Sequence, residues 1–382
     1  MNFTYRKATE AERDQYLDFA NLVFSNAHRP HDFATLISKV YGPGKHTAWF
    51  QNIAVDEQSR IRGLIALMPN TLNVMGEELV TGYVGTVSVH PYARGEGHMK
   101  HLMAMVGQDI IDRNIDIAML GGQRQRYEYF GFTKGGMLWS YDVGTSNVRH
   151  ALKDVCDEGI EITDICPDDM ETLCACAELN ESRKLYAPRK AEEFHEIATT
   201  WYAQLKKVTK DGAFAGYLVM HHEGSQTSIE EFVLKDFELT GAVLKAWFRQ
   251  TGTQGCSLIV PDYETELVRR LANFAERQHL CDAQQIRIAH FGKVLGAFMR
   301  LKASYAPLAD GERSFRIGDE NVTIRVKDNQ VTVTDEHKPD AVELTPKQAQ
   351  MMFFNLNGAL TDGRLPAGWA PLPLFLNHAD CF

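Results

Sequence analysis

The residues with the most chemical content lie between Val87 and Met103, in the run VSVHPYARGEGHMKHLM. An apolar alternation reaches Pro91, then Arg94, Gly95 and Gly97 follow, and a helical pattern begins. Met99, Leu102, Met103, Val106 and Ile110 are spaced as one face of an amphipathic helix. Its first turn therefore falls at Gly97–His98. Backbone N–H groups there have no intrahelical partners, and the helix dipole favours an anion in front of them. Glycine lets a phosphate approach the backbone, and Arg94 adds a planar cationic donor. The same residues also fit a tight glycine turn beside a solvated arginine. Further on, RYEYFGF sets Tyr127, Phe130, Gly131 and Phe132 behind the apolar run IDIAML.

The flanking sequence supplies elements to hold these residues. FTYRKA reads as an opening strand, and Thr9 three residues before Glu12 has the spacing of a capping box. Tyr16, Phe19, Ala20, Val23 and Phe24 follow at helical spacing. TAWFQNIAVD, IRGLIALMPNTLNVMG, LVTGYVGTVSV and IDIAML read as strands, so strands and helices alternate in an α/β unit. GAFAGYLVMHHEG, TSIEEFVLKDFE, a helix through Leu239, Val243, Leu244 and Phe248, and CSLIVP repeat that order without an arginine–glycine turn. Beyond about residue 285, Phe315, Ile317, Val322, Ile324, Val326, Val331 and Val333 alternate at period two, with Asp328 and Asn329 in a turn. Thr345, Pro346 and Gln348 then open a helix whose expected buried face is Ala349, Met352, Phe353 and Leu356.

The whole chain sets limits. Its 382 residues suit two or three domains, and 44% apolar content suffices for large cores. A net charge of −10 gives no global attraction to nucleic acid or an anionic membrane and better suits a cationic substrate. No apolar run is long enough to span a bilayer, and the N-terminus lacks a signal-peptide core. Seven scattered cysteines read as reduced thiols of a cytoplasmic protein. Cys174 and Cys176 have no second ligand pair nearby, so no metal is expected.

Taken together, V-x-V-x-P-x-x-R-x-x-G-x-M and Y-x-x-F-G-F resemble the acetyl-CoA core of the GNAT acetyltransferases. Met99 stands where that family usually carries a small residue. The order of the three units resembles the enhanced intracellular survival (Eis-like) type. The resemblance implies an α/β (α+β) fold: tandem GNAT-like mixed sheets with flanking helices, then a sterol-carrier-like α+β domain. The expected divisions are 1–150 for the catalytic domain, 151–285 for a second copy without the phosphate loop, and 286–382 for the third domain, its tail entering the active site.

It further implies acetyl-CoA as cosubstrate. Val87, Ser88 and Val89 would meet the pantetheine arm, and Arg94, Gly95, Glu96, Gly97, His98 and Met99 the pyrophosphate. Tyr127 matches the family's general acid, and Phe382, as an aromatic last residue, the base. A core tyrosine and a frayed tail are the plain alternatives for those two positions. Gly122 and Gln123 replace a Ser-Glu pair common in the family. Asp32 and Asp380 are candidates for holding a cationic substrate, or are solvated carboxylates. His28, His31, His90, His98 and His378 have no identifiable partner in sequence and read as surface or loop residues. The expected reaction is acetyl transfer in a ternary complex to an amine: an amino sugar, a polyamine, or a lysine or peptide amine. The rival is a non-catalytic, CoA-regulated carrier with an apolar ligand in the third domain. Homo-oligomers, hexamers by resemblance, are expected.

Overall fold

A computed structural model describes residues 2–223, 226–358 and 364–382. The chain opens with β1 (Phe3–Lys7), the helix Arg13–Ala27, β2 (Gln51–Asp56), β3 (Ile61–Val74) and β4 (Glu77–Val89). Thr9 and Glu12 form the expected capping box, reached through a short 3-10 turn. β3 and β4 make a long hairpin whose turn, Met75–Gly76, has φ of 54° and 87°, the left-handed pair that matches strand twist. The helix His98–Asp112 leads to β5 (Ile117–Leu120), then to the short helix Arg124–Tyr127, β6 (Thr133–Gly135) and β7 (Leu138–Gly144).

Alternate residues of β3 sort to opposite faces of this sheet. Leu64, Ala66 and Met68 pack with the helix Arg13–Ala27, and Ile65 and Leu67 pack with the helix His98–Asp112. The latter helix buries Leu102, Met103, Val106 and Ile110 at 1% exposure or less. Each such side chain contributes up to about 2 kcal/mol of burial, enough to seat the helix rigidly.

A second sheet draws on β8 (Ile160–Asp164), β10 (Gln204–Lys210), β11 (Ala213–Glu223), β12 (Gln226–Leu234), β13 (Gly255–Val260) and β14 (Arg277–Cys281), while β9 (Leu185–Tyr186) and β15 (Gln284–Ile288) join the first. The strand orders are β1-β2-β3-β4-β5-β15-β6 in the first sheet, with β9 added beside β3, and β14-β7-β13-β12-β11-β10-β8 in the second. In both, one parallel pair (β4–β5, β12–β13) sits among antiparallel ones. The two sheets also trade strands. β15 lies between β5 and β6, and β7 lies between β13 and β14. The divisions expected at 150 and 285 are therefore displaced: residues 138–144 belong to the second sheet and 284–288 to the first. A strand's local pattern fits either sheet equally well, so only tertiary pairing decides.

The last unit sets the helix Phe291–Ala303 against a sheet of β16 (Gly311–Ile317), β17 (Glu320–Lys327), β18 (Gln330–Thr334) and β19 (Val342–Leu344), in the order β18-β17-β16-β19. Asp328 and Asn329 take φ of 49° and 61° in the β17–β18 turn. The helix Pro346–Phe354 starts on the Thr345–Gln348 capping box. It ends before Leu356, and Phe354 takes the buried place expected of that leucine.

Gln350 of this helix is fully buried. Its Nε2 donates to the carbonyls of Gly131 and Ile286, at 3.0 and 3.2 Å, and to Thr133 Oγ1 at 3.0 Å. Its Oε1 accepts from the Ile288 N–H at 2.8 Å. One side chain thus ties β6, the exchanged β15 and the third unit together. Gln350→Leu leaves the Ile288 N–H without its acceptor in the core. We expect a loss of about 3 kcal/mol in urea unfolding; a loss below about 1 kcal/mol would show that the tie is dispensable.

Candidate active site

The glycine–arginine loop has the backbone that an anion site needs. Gly95 and Gly97 have φ of 86° and 83°, and Gly97 is the N-cap of the helix His98–Asp112. The first bonds of that helix run from the Lys100 and His101 N–H groups to the Gly97 carbonyl, leaving the N–H groups of His98 and Met99 ahead of them. A Cβ on Gly95 would meet nothing within 4 Å, and one on Gly97 only the His101 ring at 3.9 Å. The protein leaves an open volume in front of this helix N-terminus.

β4 opens toward this loop. It pairs with β5 only from Thr81 to Tyr83, and β4 then runs on to Val89 without that neighbour. On its other edge, Ile65 of β3 faces both Thr86 and Val87, a β-bulge. Thr86 has φ of 45°, and its buried hydroxyl lies 3.0 Å from the Tyr41 hydroxyl, which fixes the bulge. The interrupted ladder leaves β4 backbone groups free to meet an extended ligand.

The bulge, the loop and Tyr127 line one cleft of about 1080 Å³. Val87, Val89, Arg94, Gly95, Gly97, His98 and Met99 line it. Ser88 does not: alternation turns its side chain inward, where its hydroxyl is buried without a partner. Glu96 also stands outside the lining, its carboxylate 3.1 Å from His98 Nε2. The other nitrogen of His98 is 3.0 Å from the Tyr5 hydroxyl, so this buried histidine braces the loop. Tyr127 is 7% exposed, and burial pushes its phenol up, against a smaller downward pull from Arg126. It therefore holds its proton at neutral pH.

Phe382 also reaches the cleft. Its ring stands edge-on to Tyr41 at 5.6 Å and lies so close to β4 that a Cβ on Gly85 would be 2.2 Å from Phe382 Cδ1. Gly85 is thus required by close approach. The preceding Leu374, Phe375 and Leu376 are buried. Asp380, expected near substrate, is instead buried in an ion cluster. Arg189 donates to both its oxygens at 2.8 and 2.7 Å and to both oxygens of Glu231 of β12 at 2.7 and 3.2 Å. The Tyr217 hydroxyl donates to Glu231 at 3.2 Å. Lys39 donates to the carbonyls of Ala379 and Cys381. The tail is therefore held by charge as well as by apolar burial.

Asp32 is also corrected. It caps the short helix Phe33–Leu36, accepting from the Ala34 N–H at 3.2 Å and the Thr35 hydroxyl at 2.7 Å, and is absent from the cleft lining. His378 sits against His221 and Trp201 without lining this cleft, and burial with Lys39 pushes it down. His28 reaches the cleft rim. Thr86, Tyr41, Tyr83, Phe33 and Trp201 carry no signal in the sequence that marks them for this site, and Phe24 reads there only as part of a helix face. Gly82 and Gly85 inside a strand were the available sign of a bulge.

Residues 4–135 match the acetyltransferase (GNAT) domain family. No curated protein matches the sequence. The fold is similar to a probable N-acyltransferase of Enterococcus faecalis, at TM-score 0.70 and 14% identity over 100% of both chains. A GCN5-related N-acetyltransferase of Anabaena variabilis aligns over 100% of both chains at TM-score 0.66 and 15% identity. Eis1 of Mycobacterium abscessus aligns over 100% of this chain and 99% of its own, at TM-score 0.63 and 16% identity. At such identities the structural likeness establishes the fold. Residues 4–135 are thus similar in sequence to a GNAT acetyltransferase domain, and the whole chain is similar in fold to these structures. Among the described residues no helix is long and apolar enough to cross a membrane.

Two outcomes follow. Gly97→Val fills the open volume and strains a left-handed residue, and Arg94→Ala removes a charged donor. Acetyl-CoA affinity should fall at least about tenfold in each by calorimetry, with both variants still folded by circular dichroism and the melting temperature nearly unchanged in Arg94→Ala. Unchanged affinity in both would make the loop a plain turn. Separately, burial pushes Lys39 down to about 8. The unfolded lysine, near 10.4, then holds more protons above pH 8, so this group's share of stability rises with pH between about 8 and 10. Lys39→Met should reduce that rise in urea titrations at several pH values; an unchanged slope would contradict it.

Proposed function

We propose that the chain transfers acetyl from acetyl-CoA directly to an amine within a ternary complex. The observation that carries this is one continuous cleft joining the anion loop, the opened β4 edge, Tyr127 and Phe382. The fit of CoA rests on the open volume at Gly95 and Gly97 and on the N–H groups of His98 and Met99. Arg94 would pair with phosphate, and the β4 edge from Val87 to Val89 would align the pantetheine amides.

The residues divide the chemistry. The thioester and amine must be held in line, which the β4 edge and the cleft walls do. A backbone N–H near Val87, beside the bulge, would meet the charge that develops on the thioester oxygen. Tyr127 donates a proton to the leaving thiolate: a phenol raised by burial is neutral at pH 7, and a thiol near 8.5 is a comparable partner. The attacking nitrogen must give up a proton. Where Phe382 is the last residue, its α-carboxylate is the base, acting directly or through one water. The second unit lacks a comparable loop: Asp236 caps its own turn at the Glu238 N–H, 2.8 Å away, and two carboxylates there repel phosphate. The third unit, expected from element order to be sterol-carrier-like, serves here to hold the tail.

Tyr127→Phe should lower turnover about a hundredfold, with acetyl-CoA affinity intact, in a thiol-release assay. Adding several residues after Phe382 should also cut turnover without loss of acetyl-CoA binding. Near-normal turnover in Tyr127→Phe, with chemistry rate-limiting, would remove the tyrosine from the mechanism. A native rate in the extended chain would remove the carboxylate.

A further inference from the structure

The cleft has two unlike halves on the two faces of the first sheet. Met99 and Tyr127 pack with the core under the helix His98–Asp112. Val23, Phe33, Ile37, Tyr83 and Phe382 belong to the core under the helix Arg13–Ala27. The second half is an aromatic chamber. Phe24 and Phe33 meet edge to face at 4.9 Å, and Phe33 meets Trp201 the same way at 6.3 Å. Trp201 comes from the second unit on a left-handed backbone (φ 60°, ψ 31°), and Tyr202 after it has φ of 62°. An aromatic residue in that region is uncommon, and here it puts the Trp201 indole against the chamber.

Charge is distributed as unevenly. Among the described residues lining the whole cleft there is no aspartate or glutamate side chain, while Arg94, Lys100 and Arg126 line it. These cations suit CoA phosphates and repel a polycation. The chamber's rim at Ala27 and His28 is exposed, on the face opposite the helix His98–Asp112. That rim gives a second substrate its own way in from solvent, which an acyl chain arriving on CoA does not need.

We propose that the chamber formed by Phe24, Phe33, Trp201 and Phe382 selects an acceptor with one amine on an apolar, aromatic-sized body, and rejects polycations. This rests on the acetyl-transfer reading above and specifies its acceptor. A single ammonium is tolerated against aromatic faces, whereas further ammonium groups would be desolvated without carboxylate partners. The overall charge of −10 lies elsewhere on the molecule and does not describe this site.

The test compares 2-phenylethylamine with spermidine as acceptors, using the full chain. We expect kcat/KM to favour 2-phenylethylamine by at least about tenfold. Trp201→Ala should raise its KM about tenfold, with the KM for acetyl-CoA changed less than about twofold. Phe24→Glu, which adds a carboxylate to the chamber, should shift preference toward spermidine. Acetyl-CoA affinity by calorimetry verifies that each variant is folded. Spermidine used as well as 2-phenylethylamine by the wild type would overturn the proposal and leave acetyl transfer standing. So would a Trp201→Ala effect confined to hexanoyl-CoA, which would make the chamber an acyl pocket. If no amine releases thiol, the acetyl-transfer reading fails. Calorimetric binding of 2-phenylethylamine to the CoA-loaded protein, lost in Trp201→Ala, would then still support the chamber, and no binding would end both.

Discussion

The site depends on the parting of two parallel strands. β4 and β5 are hydrogen-bonded only from Thr81 to Tyr83 on one side and Ile117 to Met119 on the other. Past that point the backbone of β4 would ordinarily need another strand. Here the bulge at Thr86 turns it, Gly85 lets an aromatic ring lie against it, and the loop from Arg94 to Gly97 continues it to a helix N-terminus. An unpaired strand edge, a bulge and a helix N-terminus are therefore consecutive along one short stretch of chain. The sheet's two helical faces both reach this gap, which is why one cleft presents a cationic end and an aromatic end.

The wedge that helps shape the gap comes from far along the chain and is expensive to place. Arg189, Glu231 and Asp380 are each less than 5% exposed. Burying such charges costs several kcal/mol per ion unless each is paired and hydrogen-bonded, as these are. A hydrophobic cluster would hold the tail at least as tightly but without a fixed register. The fork of Arg189 meets both oxygens of both carboxylates, so it sets where the tail stops relative to β12 and the cleft. The exchange of β7 and β15 between sheets ties the first two units in the same way, since neither sheet is complete without a strand that follows or precedes the other.

How much of this could be read in the sequence follows from the range of the interactions. The loop was legible because its parts are local: two glycines at left-handed φ, an arginine, and a helical apolar stripe starting two residues later. The repeated unit order was legible from periodicity. The sheet exchange was not, because β7 and β15 alternate in the same manner whichever sheet receives them. Asp380 was misplaced near substrate because its partner, Arg189, is 191 residues away and gives no local sign. Asp32 looked free because its cap role depends on a four-residue helix too short to show a period. Trp201 reaches the cleft only through an unusual backbone conformation, and no spacing rule announces it. The acidic net charge suggested a cationic substrate, yet among the described residues the cleft lining carries no aspartate or glutamate side chain.

The central claim is that acetyl-CoA occupies the gap between β4 and β5 and the loop beyond it. Hydrogen–deuterium exchange with and without acetyl-CoA tests this most directly, because it reads the backbone N–H groups themselves. The account predicts slowed exchange confined chiefly to residues 84–89 and 95–101, with no change in residues 234–244, the corresponding turn of the second unit. Protection in the second turn, or an unprotected first loop at saturating acetyl-CoA, would contradict it.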